Sequence, residues 1–136
     1  MRAKELLEEI RNDDLILKVR LEELERLKRL CEISGISFEG EKVQTSSNPQ
    51  RTSNALIEYI QVKDDFDKFF KEALEKRKRG LLIVESIKNK KCIKVIYNRY
   101  FHNMKFEEIA TKTGYSIRRV YQLHNEGLDE INELLQ

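Results

Sequence analysis

Between Ser116 and Asn125 the chain reads Ser-Ile-Arg-Arg-Val-Tyr-Gln-Leu-His-Asn. Arg118, Arg119 and Gln122 carry the chemistry of this stretch. A guanidinium fork matches the acceptor edge of guanine or a phosphate, and a primary amide matches the donor–acceptor edge of adenine. Such groups read base edges only from a rigid element that fits a groove, so the flanking residues must supply that element.

They do so in a recognisable order. Residues 106–125 have the features of a helix-turn-helix, two short helices held at a steep angle with the second free to enter the major groove. Ala110 is the small residue where the helices cross. Gly114, four residues on, suits a left-handed turn position. Ser116 is placed to cap the second helix. Val120 and Leu123 recur at helical spacing as its inner face, with Ile109 and Ile117 extending the buried side. The outer face is left to Arg118, Arg119, Tyr121 and Gln122. The competing reading is an ordinary two-helix hairpin in an all-α core, with Tyr121 packed on the preceding helix and the lysines on a solvated face.

Charge supports the first reading through its distribution. Lys and Arg number 26 and Asp and Glu 24, so the net charge of +2 points to no partner. Residues 89–125 carry a net charge of +6, from Lys90, Lys91, Lys94, Arg99, Lys105, Lys112, Arg118 and Arg119 against Glu107 and Glu108. Residues 126–136 carry −4 and residues 1–50 carry −2. A basic field over the motif suits phosphate contacts whose strength falls with salt.

Other chemistries find no residues. There is no phosphate-binding glycine loop, no nucleophile–base pair and no metal-ligand spacing, so no catalytic residues, no metal and no cofactor are expected. The carboxylates suit solvated helix faces or helix starts. Cys31 and Cys92 lie in apolar helical patterns and are expected to be reduced core cysteines. His102 and His124 have no partner at zinc-ligand spacing. No apolar run approaches a membrane span, and the charged start Met-Arg-Ala-Lys-Glu does not read as a signal peptide, so a soluble, cytoplasmic protein is expected.

The periodicity elsewhere is helical, and the expected fold class is all-α. Residues 2–11 form a short amphipathic helix on Leu6, Leu7 and Ile10. Asn12-Asp13-Asp14 is expected to break it, and 15–33 form a second helix ended by Ser34-Gly35. Residues 34–50 read as a loop holding the single Pro49. Ile36, Phe38 and Val43 can pin it to the helices; the alternative is a mobile loop. Residues 52–88 read as one long helix, capped by Thr52 or Ser53, with a bend near Lys78–Gly80. It must pack on the helix at 15–33 or on a second copy of itself. Asn89 caps a helix over 90–101, and the last helix continues past Asn125 on Leu128, Ile131, Leu134 and Leu135. The expected division is a helical arm at 1–88, antiparallel or coiled-coil in character, and a DNA-binding domain at 89–136.

Residues 98–128 resemble region 4 of bacterial sigma factors. The matching features are Arg99-Tyr100, Glu107-Glu108-Ile109-Ala110, the Gly-x-Ser turn, and Arg119-Val120 followed by Gln122. The whole chain looks like the sigma-like phage regulators of the ArpU/RinA type, which control late-gene transcription. The resemblance implies DNA contacts from Ser116, Ile117, Arg118, Arg119, Tyr121 and Gln122, with Arg118 and Gln122 on base edges. Lys112, Tyr115 and Asn125 are then phosphate candidates, with Lys90, Lys91 and Lys94 further out. Two positions depart from the family pattern. Lys105 replaces the usual Ser or Thr cap of the first motif helix, a loss of typically ~1 kcal/mol that Glu107 and Glu108 offset at the helix dipole. Lys105 is therefore itself a phosphate candidate. Gly127, where the family often has Ala, is expected to loosen the end of the last helix.

The expected function is a sequence-specific, DNA-binding transcription regulator of phage type, an activator of late genes. The chain lacks a second sigma module and any tryptophan, so a complete sigma factor is not expected. The partners implied are double-stranded DNA, RNA polymerase, and a second copy of the chain through the long helix, with no membrane. Two alternatives stand beside this one: a DNA-packaging protein like a small terminase subunit, and a helical adaptor that binds RNA polymerase.

Overall fold

The computed structural model describes residues 2–37, 44–45 and 49–136, with side chains over 2–35 and 54–136. The order of elements is α1 (Ala3–Ile33), β1 (Ile36–Ser37), β2 (Gln44–Thr45), α2 (Pro49–Glu85), α3 (Lys90–Tyr100), α4 (Phe106–Thr113) and α5 (Ile117–Leu134). Among the described residues the fold is all-helical apart from one antiparallel ladder two residues long, Ile36 opposite Thr45 and Ser37 opposite Gln44. The side chains of Ile36, Phe38 and Val43, expected to pin the 34–50 loop, lie outside the described residues, as do those of Pro49, Thr52 and Ser53.

The chain divides into two compact units. One joins residues 1–14 to 73–136, and the other is residues 15–72. The first unit holds the larger core. Ala3, Leu7 and Ile10 of α1 and Val84 of α2 are buried with Ile87, with Val95, Ile96 and Tyr100 of α3, Ile109 of α4, and Val120, Leu123, Leu128 and Ile131 of α5. The three carboxyl-terminal helices therefore share a core with residues that a boundary at 88 assigns to the arm. In the second unit Leu24, Leu27 and Cys31 are the buried face of α1. The Cys31 thiol donates to the Ala55 carbonyl at 3.3 Å, and Arg20 lies 4.6 Å over the Phe69 ring. Of the two packings expected of the long helix, this is the one on residues 15–33.

The helix break expected at Asn12-Asp13-Asp14 is absent; α1 runs through it. These short polar residues favour breaks by bonding their own backbone, but here the carboxylates have distant partners. Asp13 pairs with Lys76 at 3.1 Å and Asp14 with Arg77 at 2.9 Å. Arg77 also donates to the Phe101 carbonyl at 3.1 Å. Glu9 adds a second, longer contact to Lys76 at 3.6 Å. The acids that looked like a break are the ties between α1 and α2.

The start of α2 is likewise earlier than expected. It begins on Pro49, whose missing N–H and fixed φ suit the first helical position, so Thr52 and Ser53 lie inside the helix. It ends at Glu85. α2 continues as helix through Gly80, and Gly80 has a packing reason: a Cβ there would fall on Ile10 Cδ1 and touch the Phe101 ring.

Gly127 plays the same part in α5. The expectation that it loosens the helix is overturned, since α5 continues to Leu134. A Cβ at Gly127 would fall on Ile96 Cδ1, with Ile96 Cγ1 at 3.3 Å and Cys92 Cβ at 3.4 Å. The glycine lets α5 approach α3 closely. Gly127→Ala gains up to ~1 kcal/mol of helix propensity, but forces a methyl against a fully buried isoleucine, which typically costs ~1–3 kcal/mol. The expected result is a lowered unfolding midpoint in urea. Adding Ile96→Val, which removes the obstructing Cδ1, is expected to recover part of the loss.

Candidate nucleic-acid interface

The candidate interface rests on α4 and α5 and the turn that joins them. Phe106 begins α4 after Lys105, which has extended backbone. The lysine supplies no side-chain cap; instead Glu108 reaches back and accepts from the Lys105 N–H at 3.4 Å. α4 closes on Gly114, which has φ 78° and donates its N–H to the Ala110 carbonyl. This is the left-handed helix terminus that glycine adopts without strain. Ser116 then caps α5, its Oγ accepting from the Arg119 N–H at 3.1 Å. These local features stand as the sequence indicated.

One side of α5 is closed. Val120, Leu123 and Ile131 have no exposed surface, and Ile109 of α4 meets them in the same core. Arg118, Gln122 and Asn125, at i, i+4 and i+7, fall on the opposite side and are all exposed. Ser116 and Ile117 flank that stripe at the helix start. Ile117 is 47% exposed, so its role as part of the buried side is corrected: it stands at the open end of α5, not in the core.

The basic residues divide into those engaged within the chain and those left open. Among the described residues the side chains of Arg118 and Lys105 have no polar partner, and both are exposed. Arg119 is half-buried and directed along its own helix, donating to Gln122 Oε1 at 3.4 Å and lying 3.9 Å from Glu126. The Gln122 amide N–H groups stay open. Lys112 is exposed but donates to the buried Asn98 Oδ1 at 3.3 Å. Tyr115 is half-buried against the core. Tyr121 packs on Phe106 in a tilted ring contact with centroids 4.5 Å apart, and stays 42% exposed. Lys90, Lys91 and Lys94 lie exposed on α3.

Arg99 belongs to a different class from the other cations. Its guanidinium lies 4.2 Å over the Phe106 ring and donates to the Met104 carbonyl at 3.1 Å, while its Nε is buried without a partner. Burial, and then the nearby Arg11, push its pKa below the usual guanidinium value. Arg99 ties the segment between α3 and α4. In that segment Asn103 takes φ 55°, and the Met104 N–H donates to the Asn98 carbonyl at 3.1 Å.

Sequence reasoning missed the polar centre beneath α5. Tyr100 and His124 are buried and joined by a 2.7 Å hydrogen bond from the phenol to Nε2. His124 Nδ1 faces Asn125 Oδ1 at 3.4 Å, which sets the tautomer with its proton on Nδ1. Burial pushes the Tyr100 phenol up to about 12, and burial pushes the His124 imidazolium below its usual value. Arg2 and Lys4 were missed as well. They line a depression beside Asn125 together with Glu5 and Asp129. They come there because the Ala3 N–H donates to Asn132 Oδ1 at 2.7 Å; the sequence signal would have been the apolar spacing of Ala3, Leu7 and Ile10.

Both cysteines are free and buried, and burial raises both thiols above their usual value, which suits core packing. No group of three His, Cys, Asp or Glu side chains able to hold a metal occurs among the described residues. No helix of the described residues is long and apolar enough to cross a membrane. Neither a family model, nor a curated protein, nor a solved structure matches the chain.

His124 makes stability depend on pH. The folded state holds the imidazole neutral, while the unfolded chain takes up a proton near pH 6.5. The unfolded state therefore binds more protons in this window, and stability falls as pH drops below about 6.5 until the depressed folded value is passed. A lower thermal midpoint is expected at pH 5.5 than at pH 7.5. His124→Gln, which keeps an acceptor for Tyr100, is expected to flatten that slope. An equal slope in wild type and variant would remove His124 as its source.

Proposed function

We propose that α4 and α5 form a helix-turn-helix that binds double-stranded DNA, and that the chain is a sequence-specific transcription regulator of the sigma region 4-like phage type. The observation that carries this reading is the division of α5. Val120 and Leu123 fix one side in the core, and Arg118, Gln122 and Asn125 occupy the other, on a helix whose start is capped by Ser116. A recognition helix needs this combination of a rigid seat and a row of open hydrogen-bonding side chains.

Roles follow from which side chains are open. Arg118 and the Gln122 amide are the base-edge readers. Arg119 holds Gln122 in place and is the nearest source of a phosphate contact. Lys105, at the start of α4, and Tyr115, in the turn, border the same side and serve the backbone. Arg99 does not touch DNA in this reading; it fixes the approach of α4 to α3. The resemblance to phage regulators extends the proposal to activation of late genes, with RNA polymerase as the protein partner.

The test is selection of a site from random duplexes, followed by gel-shift titration. Arg118→Ala and Gln122→Ala are each expected to cost about 1–3 kcal/mol, roughly five- to 160-fold in affinity, and to relax preference at one base position. Lys105→Ala is expected to weaken all duplexes alike and to lower the salt slope by about one. Unchanged affinity and unchanged site preference in both α5 variants would overturn the groove assignment. Absence of binding even at low salt would overturn DNA binding altogether.

A further inference from the structure

From the outer face of α1 we infer that residues 15–72 pair with a second copy of the chain, α1 against α1 and antiparallel, about a two-fold axis passing between residues 24 and 25. The buried face of α1 in this unit is Leu24, Leu27 and Cys31. Beside it runs an exposed seam, Ile16, Val19, Glu23, Arg26, Leu30 and Ile33, whose Glu23 borders the groove that Val62, Asp65 and Phe66 of α2 line. Its spacing alternates three and four throughout, which is the a/d pattern of a coiled coil. Ile16 and Leu30 are each 41% exposed, Val19 59% and Ile33 75%. Single exposed aliphatic residues are ordinary on a surface. Four of them at a and d of one seam form an exposed face that no other described residue covers.

The order of residues along the seam indicates what covers it. In an antiparallel pair an a position faces a d position of the other helix. With the axis between 24 and 25, Ile16 meets the partner's Ile33, Val19 meets the partner's Leu30, and Glu23 meets the partner's Arg26. The same three pairs then repeat by symmetry. Apolar residues face apolar ones and the acid faces the base, which is the self-complementarity that a two-fold interface demands. Beside the seam, the exposed Glu22 and Arg29 are likewise opposite in charge and come near each other across the axis.

Other arrangements of the same helices are worse. A parallel pair sets Glu23 on Glu23 and Arg26 on Arg26. An antiparallel pair slipped by one heptad sets Glu23 against Ile33 and Arg26 against Leu30, leaving charges against hydrocarbon. The central pair therefore fixes both direction and register, as polar residues at core positions do. Within one chain Glu23 and Arg26 already bond at 2.6 Å. In the dimer each carboxylate lies between two guanidinium groups, its own helix's and the partner's. All six seam residues belong to the unit 15–72, and none lies on α4 or α5, so the inference stands or falls apart from DNA binding.

The test follows the mass of the full chain, 16.2 kDa as a monomer, by sedimentation equilibrium without DNA. Wild type is expected at twice that mass. E23R places four arginines at the centre of the pair, and R26E places four glutamates there, so each alone is expected to lose the dimer with its helical circular dichroism intact. An equimolar mixture of the two is expected to recover a dimer containing one copy of each. Direction is read by disulfide formation in chains carrying Cys31→Ser and Cys92→Ala: Val19→Cys mixed with Leu30→Cys is expected to cross-link, and Val19→Cys alone is not. A monomeric wild-type chain overturns the inference. So does a dimer insensitive to E23R and R26E but lost on reversing Lys63 and Asp67 of α2, or efficient cross-linking of Val19→Cys alone.

Discussion

The closest constraint in the larger unit is the approach of α5 to α3 at Gly127. Ile96 and Cys92 occupy the space that a side chain at 127 would need, so the two helices meet backbone against side chain. This contact fixes the depth of α5, and depth decides which residues are covered. Val120, Leu123 and Ile131 are sealed, and the stripe through Arg118, Gln122 and Asn125 is left outside. A shift of α5 away from α3 would open the core and tilt that stripe together, because one rigid helix carries both faces. Packed interiors respond to such changes at the scale of a single methyl group. Stability and the presentation of the open side chains are thus one problem in this unit.

Buried polar groups then set the orientation of α4. Tyr100 and His124 satisfy each other beneath α5, and Asn98 receives Lys112 from α4. Arg99 covers Phe106 and holds the carbonyl that precedes α4. Each bond is worth little net against water, but an unmade partner in the interior costs about 1–3 kcal/mol. The arrangement therefore penalises alternative placements of α4 more than it stabilises the observed one. It also divides the basic field. Arg99 and Lys112 contribute charge at a distance while each donates within the chain, to Met104 and to Asn98. Arg118, Lys105 and the lysines of α3 keep theirs open.

What the sequence made legible follows the range of the interactions. Asn89 at the start of α3 (accepting from the Lys91 N–H at 3.0 Å), Gly114 at the end of α4 and Ser116 at the start of α5 act within a few residues, and all were readable. The seat of α5 on Val120 and Leu123 was readable from its period. The misreadings depended on partners far along the chain. Asp13 and Asp14 look like a break until Lys76 and Arg77 are beside them. Gly80 and Gly127 look like weak points until Ile10 and Ile96 are placed. Arg99 looks like a surface cation; its partners are the Met104 carbonyl, in a turn whose path no spacing rule gives, and the Phe106 ring that starts α4. Ile117 shows the opposite error: an apolar residue at the first position of a helix was counted inward by its type, while its position on the helix points it out.

The unit 15–72 raises a different question, because a row of exposed apolar residues on α1 runs beside a well-packed face. A helix that needed only to cover α2 would gain nothing from isoleucine or valine at 16, 19 and 33, and polar residues there would be more soluble. Nor would it place Glu23 and Arg26 midway along that same seam, since an exposed pair of this kind stabilises by at most ~1 kcal/mol. Between two copies the same pair acts differently. Charges partly shielded at a seam tolerate only opposite charges across from them, and here that condition is met in one direction and one register. Such a pair lowers the stability available from a fully apolar seam and raises its specificity. Under the proposed function, a two-fold dimer would bring two groove-reading helices to one duplex, the arrangement that inverted repeats match.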